Sequence, residues 1–252
     1  MELSNILMLS AIGLVAGAWN AIAGGATLFS FPALMAAGLP PLVANATNYV
    51  ALVPANIAAL PAYKDELRKL GRALIPMLVY SGLGAAVGSL LLVVSDPVLF
   101  QFLIPFLLAV ATVLFAVGNR IRTALVTMTG TQETGTLSFV LLFIVSIYGG
   151  YFGAGLGIVL LAIAQIMGHE DYSDANAIKN LVVTSFTFIS VAIFGVGGII
   201  AWPEAIAMMV GATIGGYAGG RIAKKINQAL LKGAVVVFGV FLTIYYFWEV
   251  FV

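Results

Sequence analysis

Two rows of uncharged polar residues stand inside stretches otherwise built from aliphatic and aromatic side chains. The first contains Asn45, Thr47, Asn48 and Asn56; the second contains Asn176, Asn180, Thr184 and Thr187, with Lys179 among them. On a helix, the spacings of Asn45, Asn48 and Asn56 put all three on one broad face, and those of Asn176, Asn180 and Thr187 do the same. Each row follows a glycine cluster, Gly24-Gly25 in one case and Gly153, Gly155 and Gly157 in the other, with Asn20 and Tyr151 just upstream. A helix that starts at such a cluster presents unpaired N–H groups where the dipole favours negative charge, and glycine lets a ligand approach the backbone. Two such starts aimed at one point would hold an anion with few charged side chains. The plainer alternatives are that the amides and hydroxyls bond across helices and that the glycines permit tight crossings. The second fits Gly84/Gly88 and Gly211/Gly215/Gly219 well. It fits a glycine cluster between two short segments less well.

The elements that must position these residues follow from composition. Of 252 residues 62% are hydrophobic and 8% charged, and the mean hydropathy is +1.11. Those values exclude a soluble domain and predict an all-α polytopic membrane protein. Cysteine is absent, so thiolate metal sites and disulfides are excluded. The N-terminal MELSNILML has no basic run ahead of its apolar stretch, and it reads as a first membrane segment and not as a cleaved signal.

Ten apolar segments can be read in order. They cover about 4–23, 26–37, 41–62, 73–94 and 97–118, then 136–151, 156–167, 173–200, 203–223 and 227–248. The second and seventh are too short to cross ~30 Å of hydrocarbon as straight helices. The two sets can be laid on each other: Gly25 falls on Gly155, Gly38 on Gly168, Asn45 on Asn176 with one residue inserted, and Gly84 and Gly88 on Gly211 and Gly215. The expected fold is therefore two five-segment repeats, each a short broken helical hairpin followed by three transmembrane helices. Residues 1–118 form the first repeat, 119–135 a cytoplasmic connector and 136–252 the second repeat. If each hairpin enters and leaves on one side, all eleven Lys and Arg residues fall on the same face. The positive-inside rule makes that face cytoplasmic, puts both termini on the extracytoplasmic side of the cell (inner) membrane and turns the second repeat upside-down relative to the first.

Lys179 admits two readings. It is a cation where the repeats meet, or an anchor that snorkels to the cytoplasmic interface, with Asp174 in sequence reach as a partner. No carboxylate lies deep inside a segment, so a buried proton relay has no candidate. His169, the one histidine, stands in a charged turn and reads as solvated, and Ser173 reads as a helix N-cap. No catalytic constellation and no cofactor are indicated, and a nucleotide motif fails because Ile158 stands where its third glycine would be. An enzyme is not expected. The expected partners are a small anion and the lipid bilayer; a homodimer is left open and nucleic acid is not indicated.

The runs GAWNAIAGGATLFSFPALMAAGLPPLVANATN and YGGYFGAGLGIVLLAIAQIMG, the latter followed by ANAIKN, resemble the two repeats of the TauE/SafE family of sulfite exporters and 4-toluene sulfonate uptake permeases. The likeness covers essentially the whole chain, including GGYAGGRIAKKI. It implies a secondary transporter, an exporter, of small sulfur-containing anions such as sulfite or organosulfonates, working by alternating access around a site at mid-membrane. Members often carry a lysine after the first TN and more glycines after AGG, where this chain has Tyr49, Ala26 and Thr27. The resemblance and the polar rows together give the expected binding residues: Asn20, Gly24, Gly25, Asn45, Thr47, Asn48, Asn56, Tyr151, Gly153, Gly155, Gly157, Asn176, Lys179, Asn180 and Thr184. A passive anion channel, or a carrier of a non-sulfur organic anion, would use the same chemistry.

Overall fold

A computed structural model describes residues 3–22, 25–129, 135–169, 171–222 and 228–251. Among these no β-strand occurs. The helices follow the apolar segments closely: α1 (Leu3–Ile22), α2 (Thr27–Ala36), α3 (Pro41–Ala59), α4 (Lys64–Leu70), α5 (Leu74–Val94), α6 (Pro97–Thr129), α7 (Thr136–Tyr151), α8 (Leu156–Ile166), α9 (Tyr172–Val196), α10 (Trp202–Ile222) and α11 (Gln228–Phe251). Among the described residues five stretches are long and apolar enough to cross a membrane, within Leu3–Asn20, Pro41–Val94, Pro97–Gly118, Ser173–Val196 and Gly233–Phe251. Side chains such as Val98, Val196, Val237 and Trp248 face outward, as an apolar solvent requires.

The interruptions have local causes. Gly25, Gly38, Gly153, Gly155 and Gly168 all have positive φ, a conformation in which an L side chain is strained, and they stand at the hairpin breaks and turns. The α2 and α8 helices are short because such glycines bound them at or near both ends.

Small residues set how closely the long helices approach. A Cβ on Gly211 would collide with the backbone oxygen of Ser10, and one on Gly215 with that of Leu14. A Cβ on Gly84 would strike Phe143, and one on Gly88 would strike Ile147. So α1 lies directly on α10 and α5 directly on α7, the close crossing that small-xxx-small patterns allow. Residue numbers rise together in both pairs, so each pair is parallel. Between α3 and α9 the order reverses: Asn56 meets Thr187, and Tyr49 meets Phe194 edge-on at 5.4 Å. Ser89 of α5 reaches Ser190 of α9 at 2.8 Å and also donates to the Gly150 carbonyl of α7.

Four local readings change. The α6 helix runs on to Thr129, through most of the polar stretch read as a connector. An additional short helix, α4, occupies KDELRKL, whose acidic first turn and basic last turn complement the helix dipole. The N-cap of α9 is Asp171, which accepts from the N–H groups of Ser173 and Asp174 at 2.8 and 3.1 Å, while the Ser173 hydroxyl donates to Glu66 of α4. His169 is partly buried, with its Nε2 enclosed and without a partner among the described residues, and burial holds its pKa below the ordinary histidine value.

Candidate anion site at the broken hairpins

The two polar rows meet at the α3–α9 seam only where Asn56 faces Thr184 and Thr187, and they do not do the same work. The first row is largely committed to holding the protein. Asn45 is fully buried and donates from Nδ2 to the carbonyl of Tyr151 at 2.8 Å, while its Oδ1 has no partner among the described residues. Thr47 accepts from the Ala201 N–H at 3.0 Å and so pins α3 to the turn before α10. Asn48 accepts from the Ser30 hydroxyl and faces Thr27 Oγ1 at 3.4 Å, which ties α3 to the first turns of α2. Asn56 donates to Thr187 Oγ1, and its carbonyl accepts from Thr184.

The second row is more open. Lys179 Nζ donates to Asn176 Oδ1 at 3.0 Å. The Asn180 side-chain amide has no hydrogen-bond partner among the described residues, although its carbonyl accepts from Thr184 at 2.7 Å. Asp174, in sequence reach of Lys179, pairs with Lys69 of α4 at 2.7 Å. Among the described residues Lys179 therefore has no carboxylate within ion-pair distance.

The direction taken by the Lys179 side chain is informative. Its Cδ lies 3.6 Å from where a Cβ on Gly157 would stand, in the first turn of α8. A lysine seeking the interface would point to the α8–α9 turn, at the other end of α8 and roughly 15 Å away at 1.5 Å per residue. The Lys179 stem instead lies beside the break that starts α8, and its ammonium turns to Asn176. Gly155 caps the start of α8 in the left-handed conformation, and no side chain caps its N–H groups.

The rest of the break is braced. The Gly149 carbonyl accepts from Tyr49, the Tyr151 carbonyl from Asn45, and the Ala154 carbonyl from Tyr148 at 2.8 Å. Tyr151 itself turns its hydroxyl to Ser95 at 3.2 Å. Gly153 leaves room for Tyr49, because a Cβ there would come within 2.7 Å of its hydroxyl, and Gly155 sits close to the Ala111 carbonyl. At the other hairpin Gly25 precedes α2, and Asn20 lies in the last turns of α1, partly buried and without a hydrogen-bond partner among the described residues. Gly24 lies outside the described residues. Sequence reasoning did not find Ser30, Tyr49 or Tyr148 as structural donors; the only signal was a hydroxyl at membrane depth close to a predicted break.

A groove of about 320 Å³ between α1 and α2, lined by Ala11, Ile12, Val15, Phe29 and Ala33, has no polar side chain to orient an anion. No cluster of three or more His, Cys, Asp or Glu able to hold a metal ion occurs among the described residues.

A multi-helix membrane protein with two interrupted hairpins and polar seams at depth has the architecture of a transport protein. Residues 9–246 match the family model described as sulfite exporter TauE/SafE, and the chain belongs to that family. It is similar to a probable membrane transporter protein of Haemophilus influenzae, 30% identical over 94% of this chain and 92% of the relative. A Sinorhizobium protein named probable membrane transporter protein ORF9 is 26% identical over 91% and 87% of the two chains. The Escherichia coli K12 probable membrane transporter protein YfcA is 24% identical over 90% and 83%. No solved structure matches.

Proposed function

We propose that the protein is a secondary transporter, an exporter, of small sulfur-containing anions such as sulfite or organosulfonates, and that the anion binds where Lys179, Asn180 and the start of α8 meet. The observation that carries this reading is Lys179, a partly buried cation at the positive end of α8 with no carboxylate partner among the described residues. Like charge against a helix start is unfavourable, and an anion between them reverses the sign. The open Asn180 amide supplies a further donor.

Alternating access around this point is supported by the arrangement of the halves. Exchanging α1–α3, α5 and α6 for α7–α11 carries the α1·α10 contact onto α5·α7 and the α3·α10 contact onto α9·α5. The corresponding helices α3 and α9 run in opposite directions, as inverted repeats require. A cytoplasmic placement of α4 is supported by its bond to the start of α9, which groups Lys64, Arg68, Lys69 and Arg72 with the α8–α9 turn on one face. Movement of one repeat against the other would then open the site to each side in turn.

The binding test is thermal. Sodium methanesulfonate and sodium sulfite should raise the melting temperature of purified protein where sodium chloride at equal concentration does not, and Lys179→Ala should weaken that shift. Transport in liposomes with imposed pH and sodium gradients would identify the coupling. Saturable flux supports a carrier, whereas flux that stays linear in anion concentration would favour the passive channel.

A further inference from the structure

The α7–α8 break creates two electrostatically opposite sets of backbone groups: N–H groups at the start of α8, and carbonyls at the end of α7 and in the turn. Carbonyl oxygens left facing the same space would repel an anion and compete for Lys179. Side chains occupy four of them, Ser89 of α5 taking the Gly150 carbonyl. Tyr49 donates to Gly149, Asn45 to Tyr151 and Tyr148 to Ala154. Two of these donors belong to α3, in the first half of the chain, although the break lies in the second half.

We infer that Tyr49 is a positioning residue for the proposed anion site, and that its hydroxyl, with those of its neighbours, draws the α7 carbonyls away so that only N–H groups and Lys179 face the ligand. This deepens the reading above and rests on it. Three features converge on Tyr49. Its side chain is buried and its ring is fixed edge-on against Phe194 at 5.4 Å, so the hydroxyl has a defined place. The hydroxyl reaches into the break between Gly149 and Gly153. Gly153, with φ of +72°, has no side chain to block it, and a Cβ there would intrude to 2.7 Å. Tyr49 also lies one residue after Asn48, which ties α2, so a single turn of α3 touches both hairpins.

The test separates positioning from packing. Tyr49→Phe keeps the ring and its contact with Phe194 and removes one donor. The readouts are the melting temperature without ligand and the dissociation constant for methanesulfonate, obtained from the concentration dependence of the shift. The expected result is a dissociation constant raised roughly five- to tenfold, the weight of one hydrogen bond, with Tyr148→Phe acting in the same direction. Tyr80→Phe, on the outer surface against Phe139, should change neither readout. A Tyr49→Phe protein that melts lower but binds methanesulfonate with unchanged affinity overturns the inference, because its hydroxyl is then only structural. If Tyr49→Phe does not fold, Tyr148→Phe and Gly153→Ala decide by the same comparison, and unchanged affinity in both overturns it. Lys179→Gln in parallel keeps the two ideas apart: weaker binding in Lys179→Gln beside normal binding in Tyr49→Phe sinks the positioning role alone. Absence of any methanesulfonate shift in the unmodified protein removes both.

Discussion

Replacing Lys179 by glutamine tests the physics of the site through two opposite effects. Glutamine can still donate toward Asn176, so the substitution removes mainly the charge. In the empty protein the Lys179 stem lies beside the first turn of α8, where a cation costs about 0.3–1 kcal/mol. Removing it should leave the ligand-free melting temperature unchanged or raise it by about 1–3 °C, taking about 2–4 °C per kcal/mol for a chain of this size. With anion present the sign reverses. A hydrogen bond to a charged group contributes about 1.5–3 kcal/mol, which corresponds to roughly tenfold to 150-fold in affinity. At an anion concentration of about 100 times the dissociation constant, binding stabilises the unmodified protein by about 2.7 kcal/mol. A 30-fold weaker variant at the same concentration would gain only about 0.9 kcal/mol. The shift should therefore fall from about 5–10 °C to about 2–3 °C. Differential scanning fluorimetry over a methanesulfonate titration measures both quantities. A variant that melts several degrees lower without ligand and keeps the full anion shift would refute the reasoning, because Lys179 would then be an anchor.

Other substitutions separate packing from charge. Gly211→Ala should cost about 3 kcal/mol or more and lower the yield of folded protein in detergent, since its Cβ would meet the Ser10 backbone and α1 cannot retreat from α10 without losing that interface. Gly38→Ala meets open space and should cost only about 1–2 kcal/mol, from its positive φ, as read by the melting temperature. Asn48→Ala should destabilise by about 0.5–1.5 kcal/mol, because it removes one acceptor of the buried Ser30 hydroxyl, which keeps its bond to the Ala26 carbonyl, whereas Lys69→Ala takes the partner from the buried Asp174 carboxylate and should lower the melting temperature. His169 has a lowered pKa, so the folded state prefers it neutral. Nothing is lost above its unfolded value of about 6.5, and stability falls as the pH drops below that value. Melting curves between pH 7 and 5 should fall less steeply for His169→Gln, and parallel curves would exclude this source of acid sensitivity. The absence of native cysteine makes topology accessible to single-cysteine labelling. Arg68→Cys should react with an impermeant thiol reagent only after cells are opened, and Asp96→Cys should react in intact spheroplasts; the reverse pattern would contradict the proposed orientation.

Much of this fold could be read from the sequence, because in lipid the backbone must be helical wherever it is not shielded. Apolar runs and glycine breaks therefore mark element ends directly, and α5 and α7 end where the apolar pattern does. The α6 extension was hidden because its polar tail carries no apolar signal beyond Gly118, and α4 because its seven residues are mostly charged. Within the candidate site, residue type singled out Asn48 and Lys179 but not what each touches. Asn45 looked like a ligand, yet its donor is used on Tyr151, far away in sequence. Asp174 looked like the partner of Lys179, but α4 brings Lys69 to it instead. Such exchanges depend on which helices cross, which the local pattern does not specify. The hydroxyls of Tyr49 and Tyr148 were missed for a related reason: an aromatic at membrane depth reads as packing until its oxygen is placed against a carbonyl.

The most direct test of transport through the Lys179 site is counterflow in proteoliposomes. Vesicles loaded with unlabelled sulfite or methanesulfonate should take up the labelled anion transiently and saturably, and the uptake should be lost or strongly weakened in Lys179→Gln. Uptake that never saturates, or that persists unchanged in that variant, would contradict the account.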